Sequence, residues 1–385
     1  MIAENPNNNG KRKKLLIFTS VCILLVGVLV FLYWLEVLRF EQYTNDAYVN
    51  GNLVELTPQV PGIVAAIYAD NTDYVEENQV IIQLDTTDYE LSLEKSTHNL
   101  GETLRKVIQL FLQVEEEEAN LEGQKAELVK AEQDYQNRVN LVPIGGVSKE
   151  EFEHTEAALK AARATYKETY HSLQAAYAQV QNTTVQTHPL VLQAIDQLKD
   201  DYVNLKRCTI VSPVNGYVAM RSAQLGESVN PNQPLLAIIP LNELWVDANF
   251  KETQLAKVRI GQAVRMTSDI YGGGVVFQGK VVGINPGTGS VFSALPPQNA
   301  TGNWIKIVQR VPVRVSLDPQ QLKKNPLWLG LSMDVKVDIH DTQGEMLSEE
   351  RRVAPLYQTK VYSEQERGVD LLIEKIIREN TGNLG

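Results

Sequence analysis

The sequence predicts an elongated α+β protein made of several domains in series. Three observations predict this class. Residues 15–35 form an uncharged apolar run, and a β-type sequence at 60–84 recurs without a gap at 214–238. Between these copies the apolar residues change to a spacing of seven, which is typical of long paired helices. We therefore expect a transmembrane helix, a β domain built from two distant segments, a helical insertion and a final β-rich part.

The uncharged run at 15–35 is long enough to cross the roughly 30 Å hydrocarbon core of a bilayer as one helix. Basic residues at 11–14 precede it, and positively charged flanks stay on the cytoplasmic side. We therefore expect residues 1–14 in the cytoplasm and the chain after the helix outside it. A cleaved signal peptide is the alternative. Its apolar core is about 7–15 residues long and ends in small residues, whereas this run ends near Tyr33 and Trp34.

Charge and composition argue against several classes of function. Residues 36–385 carry 32 basic and 46 acidic residues, a net charge of −14, which argues against a nucleic-acid partner. The five histidines are scattered, neither cysteine lies in a zinc-binding spacing, and no serine lies in a nucleophile elbow. We expect no catalytic residue, cofactor or metal, and no enzyme activity. Cys208, close to Ile210 and Val211, is expected to be a small buried side chain.

Each copy of the repeat alternates apolar and polar residues between Gly, Asn and Pro, which predicts short strands and turns. Gly62 and Gly216 occupy the same position, where a positive φ or a close backbone approach is expected. One copy is too short to bury a core, so 58–85 and 208–239 should form one small sandwich. The pattern resembles the two halves of a biotinyl/lipoyl domain. A carrier enzyme would need a modified lysine between the halves, and no such lysine turn is present.

The inserted residues 86–207 predict an antiparallel coiled-coil hairpin. Pro143, Gly145 and Gly146 break the helical pattern between two arms of similar length, and Ser148 with Glu151 forms a capping box for the returning arm. Pro189 suits a first helical turn, so a kink or short break is expected at 182–189. The apolar seam consists of Leu93, Leu100, Val107, Val114, Leu121, Leu128 and Tyr135 on the first arm, and Phe152, Leu159, Tyr166, Leu173 and Val180 on the second.

The rest of the exported chain is assigned as follows. Residues 36–57 are expected to be a membrane-proximal linker or strand. Regularly spaced strands with Gly and Pro turns predict a β-barrel at 240–340, with a long irregular segment at 285–304. Residues 341–385 are expected to be a C-terminal membrane-proximal segment. It contains a short amphipathic helix whose apolar side is formed by Leu371, Leu372, Ile376 and Ile377.

This order of parts resembles the membrane fusion proteins, or periplasmic adaptors, of tripartite efflux pumps. The amino-acid sequence resembles that of the EmrA-type multidrug export adaptors over about 40–375. The strings that carry this resemblance are TNDAYVNGN (44–52), LWVDANFKETQ (244–254), SDIYGG (268–273) and GTGSVFSALPPQNATGNWIKIVQRVPVRV (287–315).

The resemblance implies a function and its partners. Such an adaptor links an inner-membrane major-facilitator drug/proton exporter to a TolC-like outer-membrane channel, and it self-assembles, as a trimer or hexamer. It implies a single-pass protein of the Gram-negative inner membrane, with a cytoplasmic N-terminus and the bulk of the chain in the periplasm. An adaptor of an ATP-driven type I protein secretion system is the alternative. An envelope spacer without transport is a further one.

The resemblance also implies a channel-binding site at the hairpin tip, where related adaptors carry an Arg, a Leu and a Ser. Leu141 and Ser148 keep the spacing of the Leu and the Ser. The arginine departs from the pattern, because Asn137 occupies the aligned position and Arg138 follows it. The predicted partner-binding residues are therefore Arg138, Leu141 and Ser148, and Ser148 also has the local role of a helix cap.

Overall fold

In the computed structural model, residues 9–36, 38–291, 306–349 and 351–382 are described below. Helix α1, Asn9–Glu36, contains the predicted apolar run. Within the described residues, α1 is the one helix long and apolar enough to cross a membrane; its span is Arg12–Leu35, with a mean hydropathy of 3.0 and no burial against the rest of the protein. Part of the predicted irregular segment, 292–304, lies outside the described residues.

The β domain is a sandwich built from both copies of the repeat. Its two four-stranded sheets have the orders β3-β10-β8-β5 and β7-β6-β4-β9, so each sheet takes one strand from the opposite copy. Side chains from both copies share one buried core, which includes Val64, Val75, Val218 and Val229. The strands are β3 Val54–Leu56, β4 Gly62–Ile67, β5 Tyr74–Val75, β6 Val80–Leu84, β7 Thr209–Val211, β8 Gly216–Arg221, β9 Ser228–Val229 and β10 Leu236–Ile239.

The two repeat glycines allow close approach, as expected, and neither has a positive φ. A Cβ on Gly216 would lie 2.6 Å from the Ile239 carbonyl oxygen, and one on Gly62 would lie 3.3 Å from Leu84. The left-handed backbone occurs elsewhere in the repeat, at Asn78 and Asn232, both with φ of 69°. Asparagine tolerates this conformation better than most residues.

The insertion folds as the predicted helical hairpin. Helix α2, Thr87–Val139, runs outward for about 80 Å. The return consists of α3, Lys149–Val180, and α4, Pro189–Arg207, so the break expected at Pro189 is confirmed. His188 caps α4: its Nδ1 accepts a hydrogen bond from the Leu190 amide at 3.2 Å, and its Nε2 lies 3.1 Å from the Gln179 carbonyl oxygen.

A third helix covers the base of the hairpin. Helix α6, Val369–Thr381, packs against α2 and α4 and shares a buried cluster with Leu100, Leu104 and Leu198. The structure places this C-terminal helix on the hairpin, whereas a membrane-proximal position was expected. The predicted face was also partly wrong: Leu371 is 73% exposed, and the buried residues of α6 are Val369, Ile373, Ile376 and Thr381.

The barrel is a seven-stranded antiparallel sheet in the order β1-β15-β12-β13-β14-β11-β2. Two of its strands come from residues 36–57, the segment expected to be a membrane-proximal linker or strand. Strand β1 pairs with β15, and β2 pairs with β11, across more than half of the chain. Helix α5, Pro319–Lys324, lies beside it. The strands are β1 Glu41–Thr44, β2 Ala47–Asn50, β11 Trp245–Lys251, β12 Ala263–Ser268, β13 Phe277–Ile284, β14 Arg310–Ser316 and β15 Met333–Asp338.

Candidate partner-binding site at the hairpin tip

The turn between α2 and α3 is compact and hydrogen-bonded. A short 3-10 helix at Val142–Ile144 follows α2, and Gly145 ends it with φ of 71°, a conformation that glycine adopts without strain. The amide of Gly146 donates to the Leu141 carbonyl oxygen at 3.0 Å, which closes the turn. The tip therefore has a defined shape with few side chains in its interior.

Arg138 links the two arms below this turn. Its guanidinium lies 3.6 Å from the Asp134 carboxylate on the same helix and 3.6 Å from the Glu151 carboxylate on the returning arm. Exposed ion pairs of this kind contribute less than about 1 kcal/mol each. Arg138 is about one-third exposed, and the two carboxylates partly neutralise its charge within the hairpin.

The exposed surface of the turn is apolar at two positions. Leu141 is 39% exposed and Ile144 is 76% exposed. Ile144 was missed in the sequence, although its place between Pro143 and Gly145 gave a usable signal: an apolar residue inside a tight turn has no core to enter. Large apolar side chains kept in water at the end of a long rod are typical of a docking surface.

Two family models match the hairpin and the barrel. The family model "EMRA, alpha-helical hairpin domain" matches residues 87–208, and "AAEA-like beta-barrel domain" matches 243–338. A solved structure of the periplasmic adaptor protein EmrA is 22% identical, covers 78% of this chain and 99% of that chain, and has a TM-score of 0.38.

Two relatives match nearly the whole chain. The Multidrug export protein EmrA of Escherichia coli strain K12 is 41% identical over 374 residues, which cover 97% of this chain and 96% of that protein. The Multidrug export protein EmrA of Haemophilus influenzae is 41% identical, covering 98% of each chain. The chain belongs to the EmrA-type membrane fusion protein family. Its general role is that of a membrane fusion adaptor.

In this EmrA-type chain the three predicted tip residues lie around one turn, but their side chains make different local contacts. Ser148 is the N-cap of α3, and its hydroxyl oxygen accepts a hydrogen bond from the Glu151 amide at 3.1 Å. The predicted capping role is therefore confirmed. Leu141 presents an exposed side chain, while Arg138 is engaged by two carboxylates. The role of all three in binding a partner stays a prediction.

The titratable side chains of the tip lie in its helices. Among the described residues, no group of three or more His, Cys, Asp or Glu side chains could hold a metal ion. The first turn of α3 carries Glu150 and Glu151, where carboxylates interact favourably with the positive end of the helix. Lys149 begins the same turn, and Glu151 is paired with Arg138, so the charges beside the exposed Leu141 and Ile144 are mixed.

Proposed function

We propose that this protein is the periplasmic adaptor of a tripartite multidrug efflux pump. It links an inner-membrane major-facilitator drug/proton exporter to a TolC-like outer-membrane channel, and it works as a homo-oligomer. The observation that carries the proposal is the 41% identity, over nearly the whole chain, to two proteins named as multidrug export proteins. The export of drugs is transferred from those relatives.

The proposed topology assigns a place to each part of the chain. Helix α1 anchors the protein in the inner membrane with its basic N-terminal flank in the cytoplasm. The barrel follows α1 directly: the Ile339 amide donates to the Phe40 carbonyl oxygen at 2.8 Å, and the Phe40 ring stacks on His340. The hairpin then extends through the periplasm toward the outer membrane. Energy for transport comes from the exporter.

The proposed contact with the channel is the apolar surface formed by Leu141 and Ile144. Burying exposed apolar side chains at the centre of an interface commonly contributes most of the binding energy. The charged residues of the first turn of α3 and Ser148 would orient the contact. Arg138 would act indirectly, by holding the two arms together through Glu151.

The experiment that tests this function compares tip and base variants in a strain lacking the gene. We expect Leu141→Asp with Ile144→Asp to weaken binding of the purified protein to the channel by at least about tenfold and to raise drug sensitivity. Leu91→Asp is the control, since Leu91 is 59% exposed near the start of α2, at the base of the hairpin and far from the tip. If the tip variant is present in normal amounts and drug resistance is unchanged, the proposal that the tip binds the channel is wrong.

Cross-linking in intact cells then identifies the inner-membrane partner. Recovery of a major-facilitator exporter supports the proposal, whereas recovery of an ATPase subunit would favour the adaptor of a type I protein secretion system. Wild-type drug sensitivity after deletion of the gene, across a broad panel of compounds, would count against export altogether.

A further inference from the structure

A cleft of about 550 Å³ lies between the sandwich and the barrel. One wall carries Tyr74 and Tyr217, whose rings meet edge to face with centroids 5.2 Å apart. They are 53% and 43% exposed, so they are not part of either core. The opposite wall is α5 with its flanks, including Pro319 and Pro326, and Lys323 adds a positive charge. This size and mixed lining are typical of a site for a small molecule.

The internal repeat shows what fills the equivalent place in the other half of the sandwich. Strand β8 corresponds to β4, and Asn215 to Pro61. At Pro61 the phenol ring of Tyr89, from the first turn of α2, packs against the sandwich core, and its hydroxyl donates to the Pro61 carbonyl oxygen at 2.7 Å. The sandwich edge on the hairpin side is therefore covered by a phenol belonging to the chain itself.

The cleft side lacks this phenol. The residue equivalent to Tyr89 is Glu243, and the Asn52 amide donates to its carboxylate at 3.4 Å. Within the described part of the chain, no group donates a hydrogen bond to the Asn215 carbonyl oxygen. The two halves also differ at the wall, because the positions equivalent to Tyr74 and Tyr217 are Ser228 and Ile63 in the other half.

We propose that this cleft binds a phenol-bearing amphiphile. Its aromatic ring packs on Tyr74 and Tyr217, and its hydroxyl donates to the Asn215 carbonyl oxygen, as Tyr89 does to Pro61 in the other half. Its apolar tail lies along the exposed Pro319 and Pro326. Stacked aromatic pairs contribute beyond the area they bury, and the hydroxyl gives orientation. That such a compound is a transport substrate rests on the proposed function, whereas its binding does not.

The test uses the full chain in lipid nanodiscs and a matched pair of probes, 4-butylphenol and its methyl ether 4-butylanisole. Equilibrium dialysis against empty nanodiscs corrects for partition into lipid. We expect saturable binding of the phenol and about fivefold weaker binding of the ether, which cannot donate a hydrogen bond. Equal affinity for the two probes, or no saturable binding above empty nanodiscs, would overturn the proposal.

The substitutions in the protein introduce the residues that occupy the equivalent positions in the other half of the sandwich. Tyr74→Ser with Tyr217→Ile should weaken phenol binding by about tenfold. Tyr68→Ser is the control, because Tyr68 is 61% exposed elsewhere on the same domain. Binding by the double variant equal to that of the wild type would overturn the site, and if that variant does not fold, the probe pair decides alone. Drug export is tested separately, by the resistance of the gene-deletion strain. Binding in the cleft and drug export can therefore each fail without the other.

Discussion

The docking of α6 on the hairpin base gives a sharp prediction. We expect Ile376→Asp to release α6, because Ile376 is 4% exposed in the cluster shared with α2 and α4. Burial of an isoleucine side chain contributes about 1.5–3 kcal/mol, and a carboxylate in its place adds a desolvation cost. A 13-residue helix without tertiary support is marginally stable, so release should also unfold it.

The assay is hydrogen exchange of the amides in 369–381. A loss of about 3 kcal/mol raises the open population roughly 100-fold, so exchange of these amides should accelerate by a similar factor. Leu371→Asp is the matched control on the same helix, because Leu371 is 73% exposed, and its exchange should match that of the wild type. If the α6 amides exchange as slowly in the Ile376 variant as in the control, burial of Ile376 does not hold α6 on the hairpin.

Three further predictions concern local chemistry and backbone. Burial raises the pKa of the Cys208 thiol to about 11 from 9.0, so stability should fall as pH rises from about 9 to 11. In Cys208→Ala the melting temperature should therefore fall less steeply with pH over this range. A pH dependence identical to that of the wild type would contradict the prediction. Gly123→Ala, which meets nothing within 4 Å, should stabilise α2 by up to about 1 kcal/mol, whereas Gly101→Ala, at 3.1 Å from a side chain of α6, should gain less. Denaturant midpoints measure this difference. Alanine at Asn78 or Asn232 should destabilise the sandwich by about 1 kcal/mol and glycine should not; equal melting of both variants would argue against left-handed strain.

The sandwich and the hairpin could be predicted because their signals are local or repeated. Gly62 and Gly216 recur at one position, and the apolar residues of α2 keep a spacing of seven over the whole helix. Pairing across the chain has no such signal. Strands β1 and β2 are four residues each, and their partners β15 and β11 lie about 200 or more residues away. Nothing in their own pattern separates a barrel strand from a linker strand.

The position of α6 could not be predicted for a related reason. An amphipathic stripe predicts that a helix has a covered face but does not identify the surface that covers it. The predicted face is displaced toward Leu371, whereas the buried apolar positions Val369, Ile373 and Ile376 follow the helical spacing of four and three. At the tip, Leu141 and Ser148 were predicted through the family resemblance, whereas Ile144 was missed although Pro143 and Gly145 on either side of it indicated a turn.

Burial along the hairpin seam changes with distance from the base, and this bears on assembly. Leu100, Leu104 and Val107 are fully buried where α6 and α4 pack against α2. Farther out, Leu121 and Leu128 of α2 are only partly buried, although Leu159 of α3 is still 6% exposed, and Val129 of α2 is 45% exposed. The outer shaft therefore has apolar surface that a neighbouring copy could cover, while the base is already covered within one chain. If copies assemble side by side, this predicts that their helical contacts lie on the outer shaft, and that removing α6 weakens the single hairpin without removing those contacts.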